Sequence, residues 1–259
     1  MAIVFDDVTY YDEIYDASFN IESGKITGIV GSSNSGKSTI VDLISGLIYP
    51  EDDSIIYDDV RTDNIGVLFQ DINDQFFYDS IIKDFYLILK RHHIKNAEKK
   101  MVDSLKMVGL DSSYLYLSPF ELSHSEQKKV SLALILSFNP KVIVLDEPFL
   151  GLDYKDKMCF INLIRMMKIR YGKTIVVASR DTNIIHSFAD SVILLNEGRV
   201  IKTGDKYEVL SDNKLLNKCN LSVPDIIGFS NLVRDKKGIN IGYRDDINDL
   251  AKDIYRNLR

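Results

Sequence analysis

The stretch Gly31-Ser-Ser-Asn-Ser-Gly36-Lys37-Ser38 decides the fold, because it fits the pattern G-x-x-x-x-G-K-[ST] at every fixed position. A β-rich run ends just before it, and a run of helical character follows it. Gly31 and Gly36 permit backbone angles that turn successive N–H groups inward around an anion. The helix that follows would point the positive end of its dipole at the same place. The sequence therefore predicts a phosphate-binding loop between a strand and a helix.

Two side chains at the end of this loop have distinct predicted roles. Lys37 is expected to reach the β and γ phosphates of a nucleotide, and the Ser38 hydroxyl is expected to lie on Mg²⁺. A Ser/Gly-rich turn that binds nothing is the alternative, and the flanking strand and helix argue against it. The predicted ATP-binding residues of the segment are Gly31, Ser32, Ser33, Asn34, Ser35, Gly36, Lys37, Ser38 and Thr39.

An acidic pair stands at the end of the apolar run 142–145. Asp146 follows this run directly, at the carboxyl end of a predicted strand, which is where open α/β sheets bind ligands. Asp146 would hold Mg²⁺, directly or through water, and Glu147 would act on the attacking water as a general base. Alone, the pattern also fits a strand that ends in a solvated acidic turn. Together with the phosphate loop, it predicts a catalytic site.

Short apolar runs that alternate with helical patterns predict an α/β fold with a mainly parallel sheet. Three β segments without helices between them come first and predict a small antiparallel sheet, and these are residues 3–5, 8–11 and 17–21. Helical patterns dominate from about 71 to 138, including a helix over 97–108 that ends before Gly109. Further strands are predicted at 65–69, 141–145 and 174–178, and a hairpin at 192–204.

The composition of the 259-residue chain excludes several classes of protein. Hydrophobic residues make up 45% and charged residues 27%, which is typical of globular proteins rather than disordered or fibrous ones. The net charge of −6 argues against a nucleic-acid clamp, so no nucleic-acid partner is expected. Cys159 and Cys219 are too few for a disulfide framework, and no apolar run reaches the roughly 18 residues of a membrane span. A soluble protein in a reduced, cytosolic setting is expected.

In the order of these segments the sequence resembles the ATP-binding cassette (ABC) ATPases. Three further segments stand where that family has its Q-loop, its LSGGQ signature and its D-loop, and they are Phe69-Gln70, Leu122-Ser123-His124-Ser125-Glu126 and Gly151-Leu152-Asp153. The resemblance implies that Gln70 contacts Mg²⁺ or the water, and that the signature acts in trans on the ATP of a second subunit. It also implies that Tyr11 (or Tyr10) stacks on adenine. Ordinary packing is the alternative for either tyrosine.

Within that family the sequence is most similar to the ATPase subunits of energy-coupling factor (ECF) transporters, which power the uptake of vitamins and transition-metal ions. Three segments carry this likeness: FQDINDQF at 69–76, ADSVILLNEGR at 189–199, and the tail from Val223-Pro224 to Leu232-Val-Arg-Asp-Lys-Lys-Gly-Ile239. The likeness implies an α/β P-loop NTPase (RecA-like) core with an N-terminal antiparallel β-subdomain, an inserted helical subdomain and a small C-terminal extension. The ABC ATPase domain would cover residues 1–210, and the extension, a subunit contact, residues 211–259.

The implied function is ATP hydrolysis that drives an ECF-type importer. Two ATPase subunits would close over two Mg-ATP, with a heterodimer favoured over a homodimer. They would pull on a transmembrane coupling subunit that works with a substrate-binding membrane subunit, which makes the chain a peripheral protein of the cytoplasmic face of the cell membrane. Phe76 and Phe77 are singled out as partner contacts, with core packing as the alternative. The sequence names neither the transported substrate nor which of the two ECF ATPase types this is.

The signature departs from the family pattern, since His124 and Ser125 replace its two glycines. A Cβ at position 125 would crowd the approach of a backbone N–H group to phosphate. His124 would add charge or face solvent. Ser123 and Glu126 keep the spacing of a capping box, so the helix and its dipole should persist.

The switch histidine of the family is also replaced, because Arg180 stands in its place. Arginine is permanently cationic, so it could clamp a phosphate but could not exchange a proton near neutral pH. The alternative is that Arg180 faces solvent and pairs with Asp181. The two departures favour a second candidate function, a nucleotide-binding regulatory subunit with little hydrolysis at its own site. Glu147 remains, so slow hydrolysis is the first expectation.

Overall fold

A parallel sheet forms the centre of the protein in the computed structural model, which describes residues 2–51, 54–238 and 241–257. Within these residues six strands form this sheet, in the order β5-β6-β7-β3-β8-β9. Neighbouring strands are parallel except β9, which runs antiparallel to β8. The strands are β3 (Ile26–Val30), β5 (Ile65–Leu68), β6 (Val142–Asp146), β7 (Thr174–Ser179), β8 (Ser191–Asn196) and β9 (Arg199–Asp205). The mainly parallel sheet and the 192–204 hairpin are confirmed.

A second, antiparallel sheet lies at the N-terminal end, as predicted. Its described strands are β1 (Ile3–Tyr10), β2 (Ile14–Ile21) and β4 (Ile55–Tyr57), in the order β2-β1-β4. The separate segments 3–5 and 8–11 are one strand instead. The pairing of β1 with β2 shifts register between Phe5 and Val8, and Asp7 in that interval has a φ of 56°. This bulge breaks the alternation of buried side chains, which is why the pattern suggested two segments.

Helices cover both faces of the central sheet and form the inserted helical region. The described helices are α1 (Lys37–Ser45), α2 (Ile81–Arg91), α3 (Ala97–Met107), α4 (His124–Ser137), α5 (Tyr154–Tyr171), α6 (Thr182–Phe188), α7 (Lys206–Leu210), α8 (Asn213–Lys218), α9 (Asp225–Lys237) and α10 (Ile247–Asn257). The α3 helix ends as predicted, with Gly109 at a φ of 80° after it. Among the described residues, no helix is both long and apolar enough to span a membrane.

The strands β3, β6 and β7 at the centre of the sheet are buried along their whole length. In β6, Ile143 and Leu145 belong to one buried cluster, with the helices α2 to α5, while Val142 and Val144 belong to a second cluster between the two sheets. A strand covered on both faces needs an unbroken apolar run, which explains the sequence of this segment. Leu216 and Ile227 of the predicted C-terminal extension join the first cluster. The boundary at residue 210 stays a prediction.

The parallel arrangement brings four loops to one edge of the sheet. Val30 at the end of β3 is paired with Ser179 at the end of β7, and Asp146 at the end of β6 is paired with Ala178. Leu68 at the end of β5 lies opposite Leu145. The carboxyl ends of β3, β5, β6 and β7 therefore meet, and the segments that follow them carry the predicted site residues.

Candidate nucleotide-binding site

A cavity of about 790 Å³ opens at this edge of the sheet. Most of the phosphate loop lines it, together with the beginning of α1, from Ser33 to Thr39. Gln70, Glu147 and Arg180 also line it, each from the loop that follows a different strand. The structure thus brings together residues that are up to about 150 positions apart in the sequence.

The phosphate loop is held tightly by its glycines. A Cβ on Gly31 would lie 2.2 Å from Ser35 Oγ and 2.8 Å from Leu195 O. Gly36 has a φ of 95°, and a Cβ there would lie 2.7 Å from Ile14 Cδ1. Both positions therefore exclude a side chain, for steric reasons that the motif alone does not state.

Lys37 lies folded over the loop at the start of α1. Its ammonium donates to Gly31 O at 2.9 Å and to Ser32 O at 2.8 Å. Burial lowers the pKa of Lys37, and the Arg180 guanidinium acts in the same direction, while Glu147 and Asp146 act against it. An ammonium has three N–H groups, so two bonds to the loop leave one donor for a ligand oxygen.

Asp146 and Ser38 form the best candidate for a metal site. The Asp146 carboxyl is buried and accepts a hydrogen bond from the Ser38 hydroxyl. Burial raises the pKa of Asp146, against the hydrogen bond from Ser38 and the charge of Lys37. Its Oδ1 atom is buried and has no hydrogen-bond partner among the described residues. A buried carboxylate oxygen left in this state beside a hydroxyl fits the oxygen ligands that Mg²⁺ prefers.

Glu147 is fixed by the strand that neighbours its own. Its backbone is left-handed, with a φ of 42°, and its N–H donates to Ala178 O at 2.9 Å. The Glu147 carboxylate accepts from Ser179 Oγ at 3.0 Å and from the Arg180 N–H at 3.0 Å. Sequence reasoning missed Ser179, and its place directly before Arg180 at the end of an apolar run is the signal that could have found it.

Arg180 is exposed and lines the cavity, and no ion pair joins it to Asp181 among the described residues. Asp181 instead accepts a hydrogen bond from Ile184 N at 3.1 Å and caps α6. The predicted alternative, an Arg180–Asp181 pair, is therefore wrong. Arg180 lines the same cavity as the phosphate loop, and its positive charge adds to the lowering of the Lys37 pKa.

The cavity is also lined by residues that the sequence did not single out. Asp12, Glu13, Tyr15, Glu197 and Gly198 line it, and Glu13 accepts from Thr39 Oγ1 at 2.6 Å. Their signal is weak, because they belong to two hairpins, β1–β2 and β8–β9, that lie far apart in the chain. The described cavity wall includes Tyr15 and leaves out Tyr11, whose side chain is 67% exposed. Stacking of adenine on Tyr11 stays a prediction.

The signature segment lies at the N-terminus of α4, away from this cavity. Ser123 is the N-cap, with its Oγ accepting from Glu126 N at 3.4 Å and Glu126 Oε2 accepting from Ser123 N at 3.0 Å. The predicted capping box is confirmed. Ser125 donates to Asp156, and a Cβ on Gly151 would lie 3.0 Å from the His124 ring. Both replacements of the family glycines thus face the D-loop region.

The D-loop leads into α5. Asp153 accepts from Asp156 N at 2.8 Å and caps this helix. Lys128 of α4 donates three hydrogen bonds to carbonyls in the segment from Glu147 to Leu150. Sequence reasoning missed Lys128, since a lysine on a helix is ordinarily assigned to its solvated face.

The two aromatic residues singled out as partner contacts differ in burial. Phe76 is only 7% exposed and contacts Phe120 edge to face, so the partner-contact prediction for Phe76 is wrong. The neighbouring Phe77 is 73% exposed, and its N–H donates to the buried carboxyl of Asp84 at 3.0 Å. The loop is therefore anchored on one side and presents Phe77 on the other.

Comparison with known proteins agrees with this geometry, since the family model described as ABC transporter matches residues 14–150. The chain belongs to the ABC transporter ATPases. It is 35% identical over 230 residues to the energy-coupling factor transporter ATP-binding protein EcfA3 of Oenococcus oeni, covering 83% of this chain and 80% of that one. It is 33% identical to EcfA2 of Clostridium perfringens, covering 85% and 82% of the two chains. These relatives place it among the ECF ATP-binding proteins.

Solved structures show the same fold. The structure of cbiO1 from Clostridium perfringens, described as part of the ABC transporter complex cbiONQ, matches with a TM-score of 0.71 and 28% identity, covering 88% of this chain and 98% of that one. A bacterial ABC transporter cassette solved as a dimer matches with a TM-score of 0.67 and 25% identity, covering 79% and 98%. The α/β P-loop fold and an ATPase coupled to transport are therefore confirmed.

Proposed function

We propose that the chain is the ATP-hydrolysing subunit of an ECF-type importer of a vitamin or a metal ion, and that it works as one of two ATPases closed over two Mg-ATP. One observation carries this proposal. A phosphate loop, a buried carboxylate oxygen of Asp146 without a partner and the oriented carboxylate of Glu147 meet at one sheet edge. Their chemistry is that of phosphoryl transfer to water.

The residues of this chain divide the work between binding and proton transfer. The N–H groups at the start of α1 and the free donor of Lys37 would hold the phosphates. Ser38, Asp146 and Gln70 would hold Mg²⁺, which when bound neutralises charge that develops on the phosphates. Glu147 keeps lone pairs free beside its two accepted hydrogen bonds, so its carboxylate would take a proton from the attacking water.

The ATP-binding site would be completed by a second ATPase subunit. The signature of one chain would face the ATP of the other, so a signature altered at His124 and Ser125 weakens the partner's site. Arg180 serves the chain's own site. In a heterodimer with an intact partner, each ATP site would contain one altered element, either the signature or the switch residue. In a homodimer, each site would contain both altered elements. We therefore favour the heterodimer. The dimeric cassette among the structural relatives supports pairing of this kind.

A regulatory subunit is the second candidate function. In that case ATP would close the dimer, but this chain's own site would hardly turn over. The observation that favours it is the start of α4, where Ser123 Oγ already accepts from the Glu126 N–H and the Glu126 carboxylate adds a negative charge near the expected phosphate. The hydrogen bonds from Ser179 Oγ and the Arg180 N–H hold the Glu147 carboxylate in place, and this favours hydrolysis instead.

The membrane partner would dock beside Gln70, where Phe77 is exposed. The test is purification of the tagged chain from membranes, in which a second ATPase and a membrane-spanning subunit should co-purify. Phe77→Asp should lose the membrane subunit while ATP binding stays intact. Ile169→Asp is the matched control, because Ile169 is equally exposed, at 78%, but lies on α5. Unchanged recovery of the membrane subunit with Phe77→Asp would refute docking at this loop.

A further inference from the structure

Lys128 is a buried cation whose partners are all backbone carbonyls of one loop. It lies on α4, five positions after the signature serine, and only 1% of it is exposed. Its ammonium donates to Leu150 O at 2.7 Å and to the carbonyls of Glu147 and Pro148 at 3.2 Å each. Burial lowers the pKa of Lys128 to about 8, and the Glu147 carboxylate acts against this shift. The loop thus satisfies a costly buried charge.

The loop that Lys128 holds contains the base of the proposed reaction. Glu147 has a left-handed backbone, a conformation that costs a non-glycine residue about 1 kcal/mol or more unless its surroundings impose it. The surroundings here are bonds to both of its backbone polar groups. Its N–H donates to Ala178 O, and its carbonyl accepts from Lys128.

Two further contacts join the first two turns of α4 to the segment that follows this loop. Ser125 donates to Asp156, and the Lys129 ammonium lies 2.8 Å from Asp156 Oδ1. The His124 ring lies against Gly151. The helix α4 is therefore joined to the segment 147–156 near both of its ends.

We infer that Lys128 is a positioning residue, which fixes the loop of Glu147 to the signature helix and so holds the base in place for hydrolysis. This inference rests on the proposed function. It also gives a physical link between the two ATP sites of a dimer. The helix that faces the partner's ATP and the base that faces the chain's own ATP are joined by one ammonium group.

Lys173 supplies a matched control within the same chain. It is 9% exposed, and its ammonium also donates three hydrogen bonds, to Asn139 O at 3.3 Å, Asn139 Oδ1 at 2.7 Å and Pro140 O at 2.6 Å. Asn139 and Pro140 precede β6, whereas Glu147 follows it. The two lysines therefore hold opposite ends of one strand, and only Lys128 holds the end with the base.

The experiment compares Lys128→Met, Lys173→Met and Lys128→Arg in the full chain with its second ATPase. Lys128→Met should lower kcat by about 10-fold to 100-fold while the Kd of ATP changes less than about two-fold, because a misplaced base slows chemistry more than binding. Lys173→Met should leave kcat within about two-fold, although both variants lose thermal stability. Lys128→Arg should recover part of the rate, because it keeps a cationic donor.

Amide hydrogen exchange gives a readout that does not depend on turnover. Exchange in residues 147–152 should speed up in Lys128→Met and stay unchanged in Lys173→Met. An unchanged kcat and unchanged exchange in Lys128→Met would overturn the inference, as would an equal loss of kcat in Lys173→Met. If Lys128→Met does not fold, Lys128→Gln takes its place with the same criteria. A wild-type chain without any ATP turnover would refute the proposed function, and the exchange data would still decide whether Lys128 holds the loop.

Discussion

The helices α1 and α4 both begin at a surface that is expected to meet ATP, yet their N-termini are built differently. The N-cap of α1 is Gly36, and no described side chain caps this helix. The N-cap of α4 is Ser123, which forms a reciprocal capping box with Glu126. Hydrogen bonds from Ser123 and Tyr114 lower the pKa of Glu126, so a carboxylate stands at the start of α4.

The difference concerns what satisfies the first N–H groups of each helix. In α1 a glycine without a side chain leaves these groups open to an anion. In α4 the Ser123 side chain already accepts a hydrogen bond from one of these N–H groups, that of Glu126. The Glu126 carboxylate also places a negative charge there, which would repel a phosphate. On the proposed function, the chain would keep the phosphate-binding helix start for its own ATP and present an altered one to a partner's ATP.

The largest expected effect concerns the phosphate loop and the uncapped N-terminus of α1. Lys37→Ala should weaken ATP binding by about 100-fold or more, since it removes the one cation that lies within the phosphate loop. The Kd of a fluorescent ATP analogue measures this. Lys25→Ala is the control, because Lys25 is half-exposed, lies outside the phosphate loop and forms an ion pair with Glu22 at 2.7 Å. An unchanged affinity for ATP in Lys37→Ala would contradict the claim that the start of α1 binds the phosphates.

A smaller effect is expected at the switch position. Arg180→Ala should weaken ATP binding by about 10-fold and leave ADP binding unchanged, because the guanidinium would contact only the γ-phosphate. Titrations with ATP and with ADP separate the two cases. Equal weakening for both nucleotides would place Arg180 elsewhere on the ligand.

The smallest expected effect concerns the signature segment at the capped N-terminus of α4. The double change His124→Gly and Ser125→Gly should raise ATP turnover about three-fold, since it removes two side chains from the approach to the partner's phosphate. Ser112→Gly, a change of an exposed serine in the same helical region, should leave the rate as it is. An unchanged or lower rate in the double variant would mean that the capping box, rather than the missing glycines, limits this site.

Local chemistry explains which parts of this picture the sequence could predict. Three features depend only on residues that are close together in the sequence, and the structure contains all of them. They are the phosphate loop, the strand that ends at Asp146 and the capping box of α4. Ser179 and Lys128 act through contacts with Glu147 and its loop, across 32 and 19 positions of the chain. No period or motif marks such contacts, because they depend on which strands and helices become neighbours.

The same reasoning explains the errors. Phe76 and Phe77 look alike in sequence, and only the packing of Phe76 against Phe120 separates them. Arg180 and Asp181 are adjacent and opposite in charge, but the helix that begins after Asp181 uses its carboxylate as a cap. Tertiary contacts decided both cases.

Release of phosphate from ATP by wild type and by Glu147→Gln, each alone and with the second ATPase, tests the central claim most directly. The wild type should hydrolyse ATP slowly but measurably, and Glu147→Gln should reduce the rate by about 100-fold with ATP binding retained. The rate should be higher with the second ATPase than for the chain alone, because each composite site then has one altered part instead of two. Equal rates for wild type and Glu147→Gln, at zero in every combination, would contradict the account and leave the regulatory subunit as the function.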